Sequence, residues 1–178
     1  MFPSKLLDQL TRSGRIVIGI DGRSGSGKTS FAQKLAQHSQ RHALQVEVEE
    51  FIAGWTGLTA GIADFADNVV RPLREQGWVI ARKWDWLASD WTSPARIPTA
   101  GSADLVLITG CGATAKPVVP YLDTSIWLAA PETIRKERVH QRDPYDWSAV
   151  WEEWSAQESA LLAQYPSDKL ADFKILTG

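Results

Sequence analysis

The sequence predicts a three-layer α/β fold, in which helices cover both faces of a mostly parallel sheet of about five strands. Short apolar runs alternate along the chain with helical patterns. The runs near 16–20, 105–109 and 125–129 are almost continuously apolar, as in strands that are covered on both faces. The chain has 178 residues, the length of one domain, and no repeat or linker divides it. We therefore expect a single domain over residues 1–178.

The individual elements follow from hydrophobic periodicity. Short runs rich in aliphatic or aromatic residues predict strands at 15–20, 43–48, 78–83, 105–109, 125–129 and 173–176. Longer stretches with a helical pattern predict helices at 4–11, 28–40, 59–75, 131–141 and 147–164. The letters DPYD at 143–146 predict a turn between the last two helices, because Pro and Asp favour turns.

Composition and charge exclude several classes of protein. The net charge is −2, and no basic stripe is visible, which argues against binding to a nucleic-acid backbone. The apolar runs are too short to span a membrane, and the N-terminus lacks the apolar core of a signal peptide. Cys111 is the single cysteine, so no internal disulfide can form. We expect a cytoplasmic protein, and the sequence does not indicate an oligomeric state.

A phosphate-binding motif lies between the first predicted strand and the helix that follows it. The letters GRSGSGKT at 22–29 fit the pattern G-x-x-x-x-G-K-[ST]. Glycines let successive N–H groups converge on one anion, and the helix N-terminus adds its partial positive charge. The lysine can reach the β and γ phosphates, and the threonine hydroxyl can bind Mg²⁺. The residues expected to bind the nucleotide are Gly22, Ser24, Gly25, Ser26, Gly27, Lys28, Thr29 and Ser30.

Several blocks in order resemble the uridine kinase-like branch of the P-loop kinases. The loop GIDGRSGSGKTSFA comes first, followed by EEF at 49–51, GWTGL at 54–58 and WDW at 84–86. The last block is an Arg-x-x-Arg-x-x-x-Arg-Asp pattern that ends at Asp143. The resemblance implies a P-loop NTPase fold that uses ATP and Mg²⁺ to phosphorylate a hydroxyl group of a nucleoside or a related small metabolite.

The resemblance places Glu49 at the position of the general base, with Glu50 beside it. On an extended backbone two successive side chains point in opposite directions, so only one is expected to face the site, and Glu49 is favoured. Thr29 and Glu49 are the expected metal ligands. The alternative is a pair of solvated carboxylates at the end of a strand.

The acceptor is expected to bind near the tryptophan-rich blocks. Asp85 lies between two tryptophans, and the resemblance implies that it accepts hydrogen bonds from acceptor hydroxyls. Arg82 could steer an anionic acceptor or simply be solvated. Glu50 and Trp55 complete the expected acceptor-binding set. Asp85 could instead be an exposed residue on an edge strand.

Three arginines share one face of the predicted helix 131–141 and its end, since they recur at i, i+3 and i+7. Arg138 and Arg142 are expected to stabilise charge on the transferred phosphoryl group, and Arg135 is the third candidate. They adjoin a short lid segment expected near 138–148. The alternative is a solvated helix face that also carries glutamates.

One position departs from the resemblance. Thr109 precedes Gly110 where the family usually has an acidic residue that helps to hold Mg²⁺. Glu49 or Glu50 could take over that role, or the site could be degenerate. The leading hypothesis is a small-molecule kinase. A non-catalytic nucleotide switch and a stand-alone NTPase are the alternatives.

Overall fold

The computed structural model describes residues 2–142 and 148–178. The strands are β1 (Ile16–Asp21), β2 (Ala43–Glu47), β3 (Val79–Ala81), β4 (Trp84–Asp85), β5 (Asp90–Trp91), β6 (Ala95–Ile97), β7 (Leu105–Thr109), β8 (Thr124–Ala129) and β9 (Phe173–Leu176). The helices are α1 (Ser4–Leu10), α2 (Lys28–Ser39), α3 (Leu58–Phe65), α4 (Arg71–Gln76), α5 (Glu132–Arg142), α6 (Trp151–Gln164) and α7 (Ser167–Leu170). A π-helical turn, Ala66–Val70, joins α3 to α4, and 3₁₀ turns lie at Val48–Phe51 and Val119–Tyr121.

The central sheet has five parallel strands in the order β2-β7-β1-β8-β9. β1 is in the middle, and the phosphate-binding motif follows directly from its carboxyl end. β2 pairs with β7 in a register that places Glu47 opposite Thr109. The prediction of a mostly parallel sheet of about five strands is therefore confirmed, and the carboxyl ends of β1, β2 and β7 meet at one edge.

Helices cover both faces of this sheet, because successive side chains along each strand point to opposite sides. Ile16, Ile18 and Ile20 of β1 pack with α1 and α2 on one face. Val17, with Val106 and Ile108 of β7, packs with α3, α4 and α6 on the other face. The near-continuous apolar runs arise because both faces are buried.

The structure corrects the predicted strand at 78–83. Only Val79–Ala81 is extended, and it pairs antiparallel with β6 in a separate two-stranded ribbon. Ile80 is 62% exposed while Val79 is buried, so this strand has one solvent-facing side and does not join the parallel sheet. β4 and β5 form a second antiparallel pair beside it.

Other predicted elements differ at their ends. The helix expected at 59–75 contains the π-helical turn, and the strand expected at 43–48 ends at Glu47, because the chain turns there into the 3₁₀ segment. The helix expected at 147–164 begins at Trp151. The predicted DPYD turn, Asp143 of the last motif block and the part of the expected lid at 143–147 lie outside the described residues.

Within the described ranges 2–142 and 148–178, the helices are all too short or too polar to cross a bilayer.

Candidate active site

The phosphate-binding loop curls between β1 and α2. Gly25 and Gly27 have φ values of 79° and 90°, in the left-handed region where glycine carries no steric penalty. A Cβ atom on Gly25 would lie 2.3 Å from the carbonyl oxygen of Arg135, so the position also requires a missing side chain. Within the described part of the chain, the N–H groups of Gly25, Gly27, Lys28 and Thr29 donate to no other group. These donors and the N-terminus of α2 form an anion-binding nest.

Lys28 is buried and folds back over its own loop. Its Nζ donates to the carbonyl oxygens of Gly22 (2.7 Å) and Arg23 (3.2 Å). Burial pulls the pKa of Lys28 down, but the acidic groups around it, Cys111 first and then Glu49 and Glu158, outweigh burial and raise that pKa. The ammonium group is therefore firmly charged at neutral pH, as a phosphate ligand must be.

Ser24 is held through all three of its polar groups by the two helices α5 and α6. Its N–H donates to Glu158 Oε1 (2.7 Å), and its carbonyl accepts from Arg135 (3.1 Å). Its hydroxyl accepts from the indole N–H of Trp154 (2.8 Å). Glu158 and Arg135 are both buried, so these charge-assisted bonds are shielded from water. The loop is thereby fixed against the helical layer.

Asp21 ends β1 and points into the protein. Its carboxylate accepts hydrogen bonds from the N–H groups of Gly22, Gly112 and Thr114 and from the Thr114 hydroxyl. The four distances from donor to carboxylate oxygen are 2.7–3.0 Å, and only 2% of the residue is exposed. Asp21 therefore ties the base of the phosphate loop to the segment after β7 and has a structural role.

Three glutamates follow one another around the end of β2. Glu47 Oε1 accepts a hydrogen bond from the Thr29 hydroxyl at 3.2 Å. Glu49 Oε1 accepts from the backbone N–H of Cys111 at 2.9 Å. Glu50 forms an ion pair with Lys83, with an N–O distance of 2.8 Å. Burial raises the pKa of Glu47, and the charge of Glu49 adds to the shift.

The expected opposite directions of Glu49 and Glu50 are wrong. Val48–Phe51 is a 3₁₀ turn and not an extended strand, so both glutamates line the same cavity. The backbone of this turn is fixed in part by Trp86, whose indole N–H donates to the carbonyl oxygen of Glu49 at 3.1 Å. Gly110 makes room for the turn, since a Cβ atom there would lie 2.3 Å from Glu49 Oε2.

A cavity of about 870 Å³ opens beside the phosphate loop. The loop and the start of α2 form one wall, and the three glutamates form another. Trp55, Trp86 and Trp154 supply an aromatic wall, with ring centroids 4.8–6.1 Å apart. The cavity thus combines phosphate-binding groups, carboxylates and apolar ring surface.

Two of the three predicted arginines line this cavity. Arg138 donates to the carbonyl oxygens of Gly25 (3.3 Å) and Thr177 (2.7 Å), which places its guanidinium group over the loop. Arg142 lies at the end of α5 on the cavity wall. Arg135 lies beneath the loop, bound to Ser24 and stacked 5.5 Å from the Trp151 ring, and does not line the cavity.

Asp85 and Arg82 are not among the described residues that line the cavity. Asp85 Oδ1 accepts hydrogen bonds from the backbone N–H groups of Leu87 and Ala88, so the carboxylate closes a local turn. The Arg82 guanidinium donates to the carbonyl oxygens of Thr92 and Trp91 within the same ribbon. Both side chains are used to hold the hairpin together.

Sequence reasoning missed Glu47, Glu158 and Trp154 as site residues. Glu158 and Trp154 lie more than 100 residues from Ser24, and only the packing of α6 brings them together. Glu47 could have been found from the parallel pairing of β2 with β7, which places it opposite Thr109. No local signal distinguishes it from the two glutamates that follow.

The donor chemistry fits a magnesium ion bound together with a nucleotide. Mg²⁺ prefers oxygen ligands and commonly uses one or two protein groups together with phosphate oxygens. The Thr29 hydroxyl and the Glu47 carboxylate meet at the edge of the phosphate loop. Among the described residues, no group of three His, Cys, Asp or Glu side chains could hold a metal ion without such help.

Comparison with known proteins identifies the class of fold. No family model matches the chain. A structure from Bacillus stearothermophilus, described as a candidate uridine kinase, superposes with a TM-score of 0.68 at 18% identity and covers 96% of this chain and 99% of its own. A candidate fructose transport system kinase from a Silicibacter species superposes with a TM-score of 0.73 at 18% identity, over 97% and 96% of the two chains. The fold is that of the P-loop kinases, and the resemblance to the uridine kinase-like branch is confirmed at the level of the fold.

Two further similarities agree with this class. Shikimate kinase from Acinetobacter baumannii has a TM-score of 0.57 at 19% identity and covers 99% of this chain and 88% of its own. Cytidylate kinase from Halobacterium salinarum is 26% identical over 162 residues, which span 91% of this chain and 77% of the cytidylate kinase.

Proposed function

We propose that this protein is a small-molecule kinase that transfers the γ-phosphate of ATP to a hydroxyl group of a nucleoside or related metabolite. One observation carries the proposal: a single cavity joins the phosphate loop, Lys28 and Thr29 to Glu49 and an aromatic wall. A nucleotide switch or an NTPase needs the phosphate loop but has no need of an acceptor wall. Kinases of shikimate and candidate kinases of uridine share the fold, which supports the reaction class.

The phosphate end of the cavity would bind the triphosphate. The N–H groups of Gly25, Gly27, Lys28 and Thr29 would donate to the phosphate oxygens, and Lys28 would exchange its loop carbonyls for them. Arg138 and Arg142 would face the charge that develops on the transferred group. Mg²⁺, when bound beside Thr29, would neutralise part of that charge.

Glu49 would handle the proton of the acceptor hydroxyl. One carboxylate oxygen is held by the N–H of Cys111, which fixes the group and leaves the other oxygen for the acceptor. A carboxylate fixed in this way can orient the hydroxyl and accept its proton as the phosphoryl group transfers. The neighbouring Trp55 and Trp86 rings suit an acceptor with an apolar ring or sugar face.

The proposal is tested by phosphoryl transfer from γ-labelled ATP to a pooled panel of nucleosides, nucleotides, sugars and cofactor precursors. The expected result is a labelled product that disappears with Lys28→Ala. Glu49→Gln should lower kcat by about 10²–10⁴-fold, the range for loss of a general base, with little change in nucleotide affinity.

The matched control is Glu153→Gln, an exposed glutamate on α6 that makes the same chemical change away from the cavity. It should behave as wild type. Tight nucleotide binding without any labelled product would favour the switch hypothesis. Release of phosphate to water at an unchanged rate with every acceptor would favour the NTPase.

A further inference from the structure

We propose that Glu47 is the carboxylate ligand of the nucleotide-bound magnesium ion and replaces the acid that is absent at Thr109. This inference rests on the proposed function, because the ion is expected to arrive with the nucleotide. It assigns separate roles to the three glutamates: Glu47 to the metal, Glu49 to the proton and Glu50 to Lys83.

The first step is the register of the sheet. Thr109 ends β7, next to the central strand, and a neutral hydroxyl there cannot supply the negative charge that a divalent ion favours. Glu47 is the residue of β2 that pairs with Thr109. Adjacent strands lie about 5 Å apart, so an acid moved from one strand to its neighbour at the same level remains within reach of the same point.

The second step is the contact with the phosphate loop. Glu47 Oε1 lies 3.2 Å from the Thr29 hydroxyl, the loop group that binds Mg²⁺ in proteins with this motif. Of the three glutamates in the cavity, Glu47 is the one that contacts Thr29 in the described structure. The Gln45 side chain donates to the same oxygen at 3.2 Å and lies on the same face of β2, which holds the carboxylate toward the loop.

The third step concerns the contacts of the other two carboxylates. Glu49 Oε1 is bound to the N–H of Cys111 beyond β7, and Glu50 is paired with Lys83. Glu47 has hydroxyl and amide hydrogen-bond partners but no cation within ion-pair distance in the described residues. Glu49 is also half-buried and without an ion pair in the described residues, so the contact with Thr29 is what singles out Glu47 as the charge that a bound cation would balance.

The experiment measures metal binding directly, with Mn²⁺ as the spectroscopic substitute for Mg²⁺. Electron paramagnetic resonance would follow Mn²⁺ binding to the protein saturated with a non-hydrolysable ATP analogue. Glu47→Gln is expected to weaken Mn²⁺ binding about 10- to 100-fold, a range typical when a group that supports a metal site is lost. Glu49→Gln, which removes the proposed base, should leave Mn²⁺ affinity within about threefold of wild type.

A rescue variant separates the role in metal binding from a general effect on the fold. Thr109→Asp added to Glu47→Gln returns the acid to β7 at the paired position and should recover most of the lost Mn²⁺ affinity. Glu47→Gln with unchanged Mn²⁺ affinity would overturn the inference alone. An uncorrected loss in the double variant would also overturn it. Wild-type protein that fails to bind the nucleotide analogue would overturn the proposed function and this inference together.

Discussion

Replacing Asp21 by Asn tests the view that this carboxylate is structural. Each carboxylate oxygen accepts two hydrogen bonds: Oδ1 from the N–H groups of Gly22 and Gly112, and Oδ2 from the N–H and hydroxyl of Thr114. An asparagine keeps one oxygen and points an NH₂ group at two donors. At the Oδ1 position the amide would leave two backbone N–H groups without an acceptor, whereas at Oδ2 it would leave one, because the Thr114 hydroxyl can turn and accept from it.

The expected cost follows from that count. A buried donor without a partner costs about 1–3 kcal/mol, and hydrogen bonds to a charged acceptor are stronger than those to an amide. With one such donor in the less costly orientation and a weaker remaining acceptor, Asp21→Asn should lower the free energy of unfolding by about 2–4 kcal/mol. That is a large share of the roughly 5–15 kcal/mol typical of a domain.

The assay is equilibrium unfolding in urea at neutral pH, followed by far-ultraviolet circular dichroism. Asp85→Asn is the matched control, because one oxygen of the exposed Asp85 accepts both of its hydrogen bonds and an amide oxygen can do the same. The control should lie within about 0.5 kcal/mol of wild type. If Asp21→Asn also lay within about 1 kcal/mol, the structural role assigned to Asp21 would be refuted.

Two further predictions concern the phosphate loop and the single thiol. Gly25→Ala should weaken binding of a non-hydrolysable ATP analogue by about tenfold or more, because the new Cβ atom would lie 2.3 Å from the Arg135 carbonyl oxygen at a φ of 79°. Calorimetric titration would measure the affinity for the analogue, and an unchanged affinity would contradict this prediction. Burial raises the pKa of the Cys111 thiol well above its ordinary value, so alkylation by iodoacetamide should be slow in the folded protein at pH 8 and should speed up in urea. Equal rates in the two states, measured by mass spectrometry, would show that the thiol is accessible.

The sequence was sufficient for the parts of the fold that depend on local patterns. The central strands are recognisable because both of their faces are buried, which makes their runs almost continuously apolar. The strand at 78–83 was predicted from a short apolar run, although Ile80 faces solvent and the run is only half buried. Burial on one side and an antiparallel partner cannot be told from a short apolar run alone.

The candidate site was predictable where residues are adjacent in sequence and was missed where they meet through packing. The loop at 22–29 carries its own geometry in its glycines. The contact of Thr29 with Glu47 depends on strand register, and the contact of Ser24 with Glu158 depends on how α6 packs. The resemblance implied that Asp85 binds the acceptor, and in the structure its Oδ1 accepts hydrogen bonds from the N–H groups of Leu87 and Ala88.

The two ends of the segment 78–102, which forms the antiparallel ribbons, lie next to each other. The N–H of Ala103 donates to the carbonyl oxygen of Gly77 at 2.9 Å, and Arg15 donates to the carbonyl oxygen of Ala103 at the same distance. This segment brings Lys83 and Trp86 to the glutamates of the cavity, while the phosphate loop follows a strand of the parallel sheet. Exchange of this segment at Gly77 and Ala103 in a chimaera would therefore alter the Trp86 side of the cavity and leave the residues of the phosphate loop unchanged.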